Sequence, residues 1–415
     1  MRNIFVQTYG CQMNEADSAE MLLHLTALGC TECAVLSQAD IVLVNTCTVR
    51  DHAEHKALSF LGRLRAWKRK NPARKIIFAG CAAQRLGRAL KAQYPYVDLI
   101  FGAKNIDDFQ EVLEQSAVLD GAADTSAAQN AVPAERAKTS PLALVNIMRG
   151  CSCRCSYCIV PFVRGEARSI SPDVIYEQVR QKVARGAAEI TLLGQTVNAY
   201  NYKGKSFVSL INDIAKIDGV KRLRFLSPHP AFINEDFAKA VADNKNIARH
   251  LHLPVQSGSD AVLRAMKRGY TRRDFLAKAS LLKSVGMALS TDIIVGYPTE
   301  TEEDFLQTIS LVEEANFNGA YCFKFSPRAM TAAAALEPLA REVVERRLNI
   351  LLNKVKGLAA LNYQAQIGAR HQVLMETPHS GRTATNLWVK TQGAYAVGGL
   401  EELEIKAVEK SILIA

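Results

Sequence analysis

Three segments in the first hundred residues share one plan. "IFVQTYGC", "DIVLVNTC" and "KIIFAGC" are each a short apolar, β-branched run closed by a cysteine. Helical patterns separate them. "EADSAEMLLHLTALG" stops at a glycine, and "HAEHKALSFLGRLRAWKRKNP" sets Ala57, Phe60, Leu61 and Leu64 on one face and stops before Pro72. Strand–helix–strand–helix–strand predicts a parallel sheet with crossover helices. In such sheets functional groups gather beyond the carboxyl ends of the strands. Cys11, Cys47 and Cys81 stand at those ends, 36 and 34 residues apart. Spacing alone leaves two readings open: three small buried thiols, or one site made by convergence.

The alternation predicts an N-terminal parallel α/β domain, Rossmann- or flavodoxin-like, over residues 1–115. Residues 116–136, rich in Ala, Ser, Asp and Pro and without a sustained period, read as a linker. From 137 to 365 the alternation resumes. "LALVNIM", "EITLLGQ", "RLRFLS", "HLHLPV", "LSTDIIVGYP" and "AYCFKFS" are strands, with helices such as "DVIYEQVRQKVARGA", "RRDFLAKASLLKSVG" and "EEDFLQTISLVEEAN" between them. Six such repeats suit a partial parallel (β/α)6 barrel with its site on the loops after the strands. A long amphipathic helix follows, beginning at "AREVVERRLNILL". Residues 366–415 read as a small all-β module of short runs: "HQVLMET", "LWVKT", "AYAVGG", "LEELEIKAVE" and "SILIA".

Directly after the first barrel strand comes "MRGCSCRCSYCIVPFVRG", with four cysteines in eight positions. Cys151, Cys155 and Cys158 form C-x3-C-x2-C. Soft thiolate donors suit an iron–sulfur cube, and three leave its fourth iron open. A structural zinc site would want a second knuckle or a histidine pair, and neither follows. Cys153 is assigned no ligand role. Cys30 and Cys33 read as a chance C-x2-C outside the three-strand arrangement, and Cys322 as a packed thiol. The N-terminus lacks a secretory pattern and no run of about 18 apolar residues occurs, so a cytoplasmic protein without a membrane segment is expected. Ten cysteines there favour metal or redox chemistry over disulfides.

With these residues in place, the chain resembles the radical-SAM methylthiotransferases over essentially its whole length. The resemblance rests on "TYGCQMNEADS", "VNTCTVRDHAEHK", "AGCAAQ", "YVDLIFG", "GCSCRCSYCIVPFVRGEARS", "LLGQTVNAY", "HLPVQSGSDAVLRAMKRGYTR" and "DIIVGYPTETEEDF". It implies two 4Fe–4S clusters, one on Cys11, Cys47 and Cys81 and one on Cys151, Cys155 and Cys158, with S-adenosylmethionine as cofactor and a C-terminal TRAM domain. "TYGCQMNEADS" and "YCIVPFVRGEARS" look most like the MiaB-type branch. That branch inserts a methylthio group at carbon 2 of N6-isopentenyladenosine, position 37 of tRNA, beside the anticodon, at the expense of two S-adenosylmethionine. Sister branches act on threonylcarbamoyl-adenosine in tRNA or on an aspartate of a basic small-subunit ribosomal protein. An iron–sulfur RNA-binding protein is the non-enzyme alternative.

Carbon 2 of adenine is an unactivated C–H that acid–base catalysis does not open, whereas a radical does; the cofactor carries that step and the protein orients it. The resemblance implies cofactor contacts at Tyr157, where radical-SAM proteins often place an aromatic near adenine, and at Gly296 in "IIVGYP", which resembles a motif beside it; Gly194 and Gln195 after "EITLL" and Gln256 and Ser257 after "HLHLPV" stand at strand ends facing the same site. Each also has a plain reading, as loop packing for Tyr157 and as a turn residue for the rest. His229 and His252 read as satisfied core or loop histidines. Net charge is +10, which favours an anionic partner. From Leu61 to Lys91 there are ten Lys and Arg and no acid, read as uncompensated, and a second run holds Arg264, Lys267, Arg268, Arg272 and Arg273. Phosphate backbones are the expected partner, here a tRNA anticodon stem-loop whose base leaves its stack. A positive surface disfavours a basic protein substrate. An electron donor and a sulfur donor are also required, and the sequence identifies neither. The last fifty residues hold five basic and five acidic residues, so RNA contacts there rest on Arg370, Arg382, Lys390, Trp388 and Tyr395.

Overall fold

The computed structural model describes residues 2–49, 51–116, 118 and 140–415, so the linker expected over 116–136 lies almost wholly outside the described residues. Two compact units result. One takes the N-terminal residues together with Gly150–Ser152 and Ile159–Ala167; the other takes Cys153–Cys158, Arg168–Ala415 and the strand before the cysteine loop.

In the N-terminal unit, β1 (Arg2–Tyr9), α1 (Gln12–Ala27), β2 (Cys30–Glu32), β3 (Ile41–Thr46), α2 (Asp51–Lys70), β4 (Lys75–Gly80), α3 (Cys81–Gln93), β5 (Leu99–Gly102) and α4 (Phe109–Glu114) follow in order. The strands pair in parallel in the order β2-β1-β3-β4-β5, the flavodoxin-like arrangement. All six residues of β3 are buried, because helices cover both of its faces. Val42 and Val44 pack toward Phe60, Leu61 and Leu64 of α2, and Ile41 and Leu43 toward Met21 and Leu25 of α1 and Phe109 of α4. The sequence reading found three of the five strands. β2 and β5 are three and four residues long, too short to show a period. Cys30 therefore does not lie outside the sheet: it opens the edge strand β2, is buried, and packs with Ile4 and Met21.

The second unit begins with β6 (Leu142–Asn146). Short strands β7 (Met148–Arg149) and β8 (Arg168–Ser169) pair antiparallel at the base of the cysteine loop, whose chain includes α5 (Val160–Arg164). Then come α6 (Pro172–Ala184), β9 (Glu189–Leu193), a hairpin of β10 (Asn201–Tyr202) and β11 (Lys205–Ser206), α7 (Phe207–Ile214), β12 (Arg222–Phe225), α8 (Glu235–Asp243), β13 (His250–His252), α9 (Asp260–Ala265), α10 (Arg272–Ser284), β14 (Ala288–Val295), α11 (Glu302–Ala315), β15 (Gly319–Lys324) and α12 (Arg341–Gln364). Parallel sheets β6-β9-β12 and β13-β14-β15 are joined by a parallel bridge from Leu223 to Ile247, just ahead of β13. The result is a six-stranded partial barrel in chain order, around one apolar core from Val145 to Leu351.

The C-terminal residues form a six-stranded sheet in the order β19-β16-β17-β18-β21-β20, from β16 (Arg370–Thr377), β17 (Ser380–Thr383), β18 (Trp388–Lys390), β19 (Leu400–Glu404), β20 (Ala407–Glu409) and β21 (Ile412–Ile414). "AYAVGG" is not a strand, while "SGRT" is. Gly381 explains the second case: a Cβ there would lie 2.1 Å from the Leu374 carbonyl, so the close hairpin with β16 requires glycine. Arg222, buried at the start of β12, donates to the carbonyls of Arg382 (2.8 Å) and Thr383 (3.3 Å). Lys221 donates to that of Gly398. The sheet thus attaches at the amino ends of the barrel strands, away from the ends that carry the site residues.

Candidate active site

The upstream cysteines converge because the sheet order makes them neighbours. β1 and β3 are adjacent, yet the chain visits β2 between them, so a topological switch point lies between their carboxyl ends. Cys11 follows β1 and Cys47 follows β3; Cys81 opens α3 directly after β4. Two glycines permit the approach. At Gly10 a Cβ would sit 2.8 Å from the Cys47 Cβ. Gly80 has φ +97, and a Cβ there would meet Asn45 Oδ1 at 2.2 Å. Cys47 and Cys81 are buried and Cys11 is exposed. Cys11 precedes the first turn of α1 and Cys81 lies in that of α3, where helix N-termini favour thiolates.

A polar scaffold stands behind the trio. Asn45 donates to the Asn14 carbonyl (2.8 Å) and to Ser18 Oγ (2.9 Å), and accepts from Asn14 Nδ2 (3.1 Å). Asn14 Oδ1 in turn takes the Cys11 thiol at 3.2 Å. The Cys47 thiol lies close to those of both Cys11 and Cys81. It draws the Cys11 thiol down to about 6, against burial and with help from the Arg164 guanidinium. Cys81 is lowered by the same neighbour and the same arginine. Cys47, between two neighbouring thiols and buried, is held well above the ordinary thiol value.

The downstream cysteines come from one loop. Gly150, at φ +74, brings the chain so close to Glu166 that a Cβ would meet its carbonyl oxygen at 2.0 Å, and the Cys151 N–H bonds the Gly165 carbonyl at 3.0 Å. Cys155 and Cys158 bracket a tight turn closed by Cys158 N–H on the Cys155 carbonyl at 3.1 Å. Ser156 pins that turn, since its Oγ donates to the Ala265 carbonyl (2.8 Å) and meets the Tyr297 hydroxyl (2.9 Å). Arg268, which the sequence reading grouped with phosphate-binding charges, is buried and donates to Cys155 Sγ at 3.3 Å, the Tyr270 hydroxyl and the Pro254 carbonyl. Cys153 points to Thr196, 3.9 Å away. Tyr157 packs with Val262, Met266 and Tyr297, and burial pushes its phenol well above the usual range.

The remaining site residues stand at strand ends of this unit. A Cβ on Gly194 would meet Met148 at 2.6 Å. Gln195 has a buried Oε1 without a partner, as does Asn146 with its Oδ1, at the ends of the adjacent strands β9 and β6. Gln256 is buried at φ +74 and bridges to Ile293; so strained a backbone at a non-glycine marks a constrained position. Ser257 Oγ accepts from the Ser259 N–H. Gly296, at φ +75, donates its N–H to Glu300, which Arg347 pairs at 2.7 Å. His229 and His252 are satisfied in place, by Asn198 and Ala231 for the first and Ser290 and Asp292 for the second. Sequence reading singled out none of Arg164, Asp17, Asn14, Asn45, Asn146 and Ser156, although all but Asn146 lie within the stretches that carry the resemblance.

The basic run from Leu61 to Lys91 is not uncompensated. Lys68 and Lys75 pair with Asp98, and Arg85 with Glu54, acids outside the window. Arg63, Arg65, Arg69, Lys70 and Arg88 stay exposed. Arg272 pairs with Glu314 at 2.8 Å, and Arg382 lies over the Trp388 ring at 5.0 Å.

Among the described residues no three His, Cys, Asp or Glu side chains share a point where one metal ion would sit. An iron–sulfur cube takes one thiolate per iron, so its ligands need not converge on a point. Two thiol trios with arginine donors, and unpartnered acceptors beside the second, are a donor set that fits such clusters and a polar cofactor. No helix among the described residues is long and apolar enough to cross a membrane.

The Radical SAM superfamily model matches residues 145–312, and the model described as Uncharacterized protein family UPF0004 matches residues 3–102. Fold neighbours include the radical S-adenosylmethionine methyltransferase TsrM from Kitasatospora setae, at TM-score 0.60 and 14% identity over 80% of this chain and 77% of that one. The cobalamin-dependent S-adenosylmethionine radical enzyme OxsB matches at TM-score 0.53 and 14% identity, over 86% and 56%. The family match defines residues 145–312 as a radical SAM domain, and these structures share its fold. A tRNA-2-methylthio-N(6)-dimethylallyladenosine synthase of Methylacidiphilum infernorum (isolate V4) is 41% identical over 93% of this chain and 88% of its own. One of Thermodesulfovibrio yellowstonii is 37% identical over 99% and 98%. The chain belongs to the family of tRNA-2-methylthio-N(6)-dimethylallyladenosine synthases.

Proposed function

We infer that this protein is a radical S-adenosylmethionine tRNA methylthiotransferase that places a methylthio group on carbon 2 of N6-isopentenyladenosine beside the anticodon. The observation that carries the reading is near-full-length identity to synthases of that name in a chain with two separate thiol trios. Cys151, Cys155 and Cys158 would hold one 4Fe–4S cluster beside S-adenosylmethionine, and Cys11, Cys47 and Cys81 a second. The first would supply the electron for radical chemistry at the C–H bond, and the second would supply iron for holding sulfur.

The protein's own part is positioning. Arg268 donates a hydrogen bond to Cys155 Sγ and so orients that sulfur, and Ser156 fixes the turn that spaces Cys155 from Cys158. The unpartnered oxygens of Asn146 and Gln195 suit the donor groups of a polar cofactor, since buried acceptors left unpaired are costly. Tyr157, Gly194, Gln256, Ser257 and Gly296 are the further cofactor positions. Exposed Arg63, Arg65, Arg69, Lys70 and Arg88 suit a phosphate backbone, and Arg382 stacked on Trp388 suits local RNA contact. An electron donor and a sulfur donor complete the system.

The test is nucleoside mass spectrometry of tRNA from a strain lacking the gene. Methylthio-isopentenyladenosine should disappear and isopentenyladenosine accumulate. Loss instead of the methylthio form of threonylcarbamoyl-adenosine, or of a modified ribosomal-protein aspartate, would move the enzyme to a sister branch. An unchanged profile of all three would leave an iron–sulfur RNA-binding protein.

A further inference from the structure

Arg164 lies six residues beyond Cys158 in sequence, yet it folds with the upstream trio. α5 belongs to the N-terminal unit. Its Val163, with Ile159 just ahead of it, packs against Cys81 and Ala103. The arginine is buried. Its Nε–H donates to Cys81 Sγ at 3.2 Å, and Nη2 donates to Asp17 Oδ2 at 2.8 Å. The side chains are 4% and 2% exposed, so this is a desolvated pair. Such a pair is poor evidence for stability, because two desolvated charges recover little more than they lose. A different use fits the geometry. The guanidinium is a planar fork, and here one edge is fixed by a carboxylate while another N–H meets a thiol.

We propose that Arg164 is a positioning residue of the upstream cluster: held by Asp17, it donates a hydrogen bond to the Cys81 thiolate and so sets both the retention and the reduction potential of the group held there. The inference rests on reading Cys11, Cys47 and Cys81 as cluster ligands. Hydrogen bonds and positive charge at a ligand sulfur stabilise the more negative, reduced state. Without the arginine, the buried carboxylate of Asp17 would lose the positive charge that offsets it here. Asp17 offsets the charge of Arg164, so its own removal should act in the opposite direction.

The test uses the full chain, reconstituted anaerobically, with iron and sulfide content and an EPR-monitored redox titration as readouts. Wild type should hold about eight iron, as expected for two four-iron clusters. Arg164→Met should hold about half as much, and the added change Asp17→Asn should restore part of the loss by removing the negative charge that Arg164 offsets. Arg164→Lys keeps a charge beside Asp17 but not the fork. It should load fully and show the upstream signal at a more negative potential, with the downstream signal unmoved. A merely structural ion pair would not shift one potential and spare the other. Wild type holding only about four iron would remove the upstream cluster and the inference with it. Full wild-type loading, with Arg164→Lys at the wild-type potential and Arg164→Met fully loaded, would overturn the inference alone. If Arg164→Met fails to fold, the Arg164→Lys potential decides.

Discussion

The two thiol trios are built in opposite ways. The upstream one draws a single cysteine from each of three strand ends, so the five-stranded sheet is its scaffold. The downstream one draws all three from eight consecutive positions of one loop. Each has a buried arginine donating to one sulfur, at 3.2 Å from Arg164 and 3.3 Å from Arg268. The surroundings differ. Arg164 is matched by the carboxylate of Asp17, whereas Arg268 is met by a phenol and a carbonyl. A site assembled by topology depends on backbone packing at every strand end, and a site assembled by a loop depends on a few local pins.

The sharpest division should appear when each trio is removed. Replacing Cys151, Cys155 and Cys158 by Ala should leave about half the iron and abolish S-adenosylmethionine cleavage, measured by chromatography of the cleavage products. Cleavage surviving that change would end the assignment of catalysis to the loop. Cys47→Ala removes the thiol that lies close to both of the others. It should also cost about half the iron, yet leave cleavage in place while the methylthiolated product is lost. Loss of cleavage as well would erase the distinction between the two sites.

A smaller effect tests the scaffold. Gly80→Ala forces a positive φ on a residue with a side chain and drives its Cβ to 2.2 Å from Asn45 Oδ1. Strain and overpacking of that kind cost about 1–3 kcal/mol, readable by denaturant unfolding. Iron loss should follow at the upstream trio alone. Ser156→Ala in the loop removes bonds to Ala265 and Tyr297, a loss of about 1–3 kcal/mol, and its iron loss should be confined to the downstream trio. Equal iron loss from both trios in either variant would show that the scaffolds are not independent.

The same contrast decides what the sequence reveals. C-x3-C-x2-C is legible because its geometry is local: the residues that hold the group are the residues that name it. Cys11, Cys47 and Cys81 are legible only through their strand-end positions, and those leave the packed-thiol reading standing until the resemblance is considered. β2 and β5 are hidden by their length, since pairing with β1 and β4 rather than periodicity makes them strands. Arg164 sits in a helix of five residues and answers to a carboxylate 147 positions away. Arg268 looks like one of five surface charges until burial is known. The basic run from Leu61 misleads for a related reason: its counter-charges, Asp98 and Glu54, come from outside the window. Local chemistry is written in the sequence, and long-range pairing is not.

The two units should differ in acid as well. His229 is pressed by Phe232 and Tyr270, with ring centroids 5.9 and 5.7 Å away, and accepts the Ala231 N–H. Burial, then the nearby Arg268 and Lys278, lowers it to about 3. Burial and Arg224 lower His250 to about 3 as well. Both lie in the barrel unit; in the N-terminal unit His52 and His55 are exposed and His24 is half-buried. An unfolded histidine takes its proton near 6.5, before the folded one does. The contribution of each to stability is therefore present above that pH and is lost as pH falls toward 3, at about 1.4 kcal/mol per unit. His229→Gln keeps an acceptor without a titrating group. Urea unfolding at pH 7.5 and pH 5 should show the barrel transition of this variant falling less steeply with acid than that of wild type. An identical pH slope would mean that His229 takes its proton in the folded barrel as readily as in the unfolded chain.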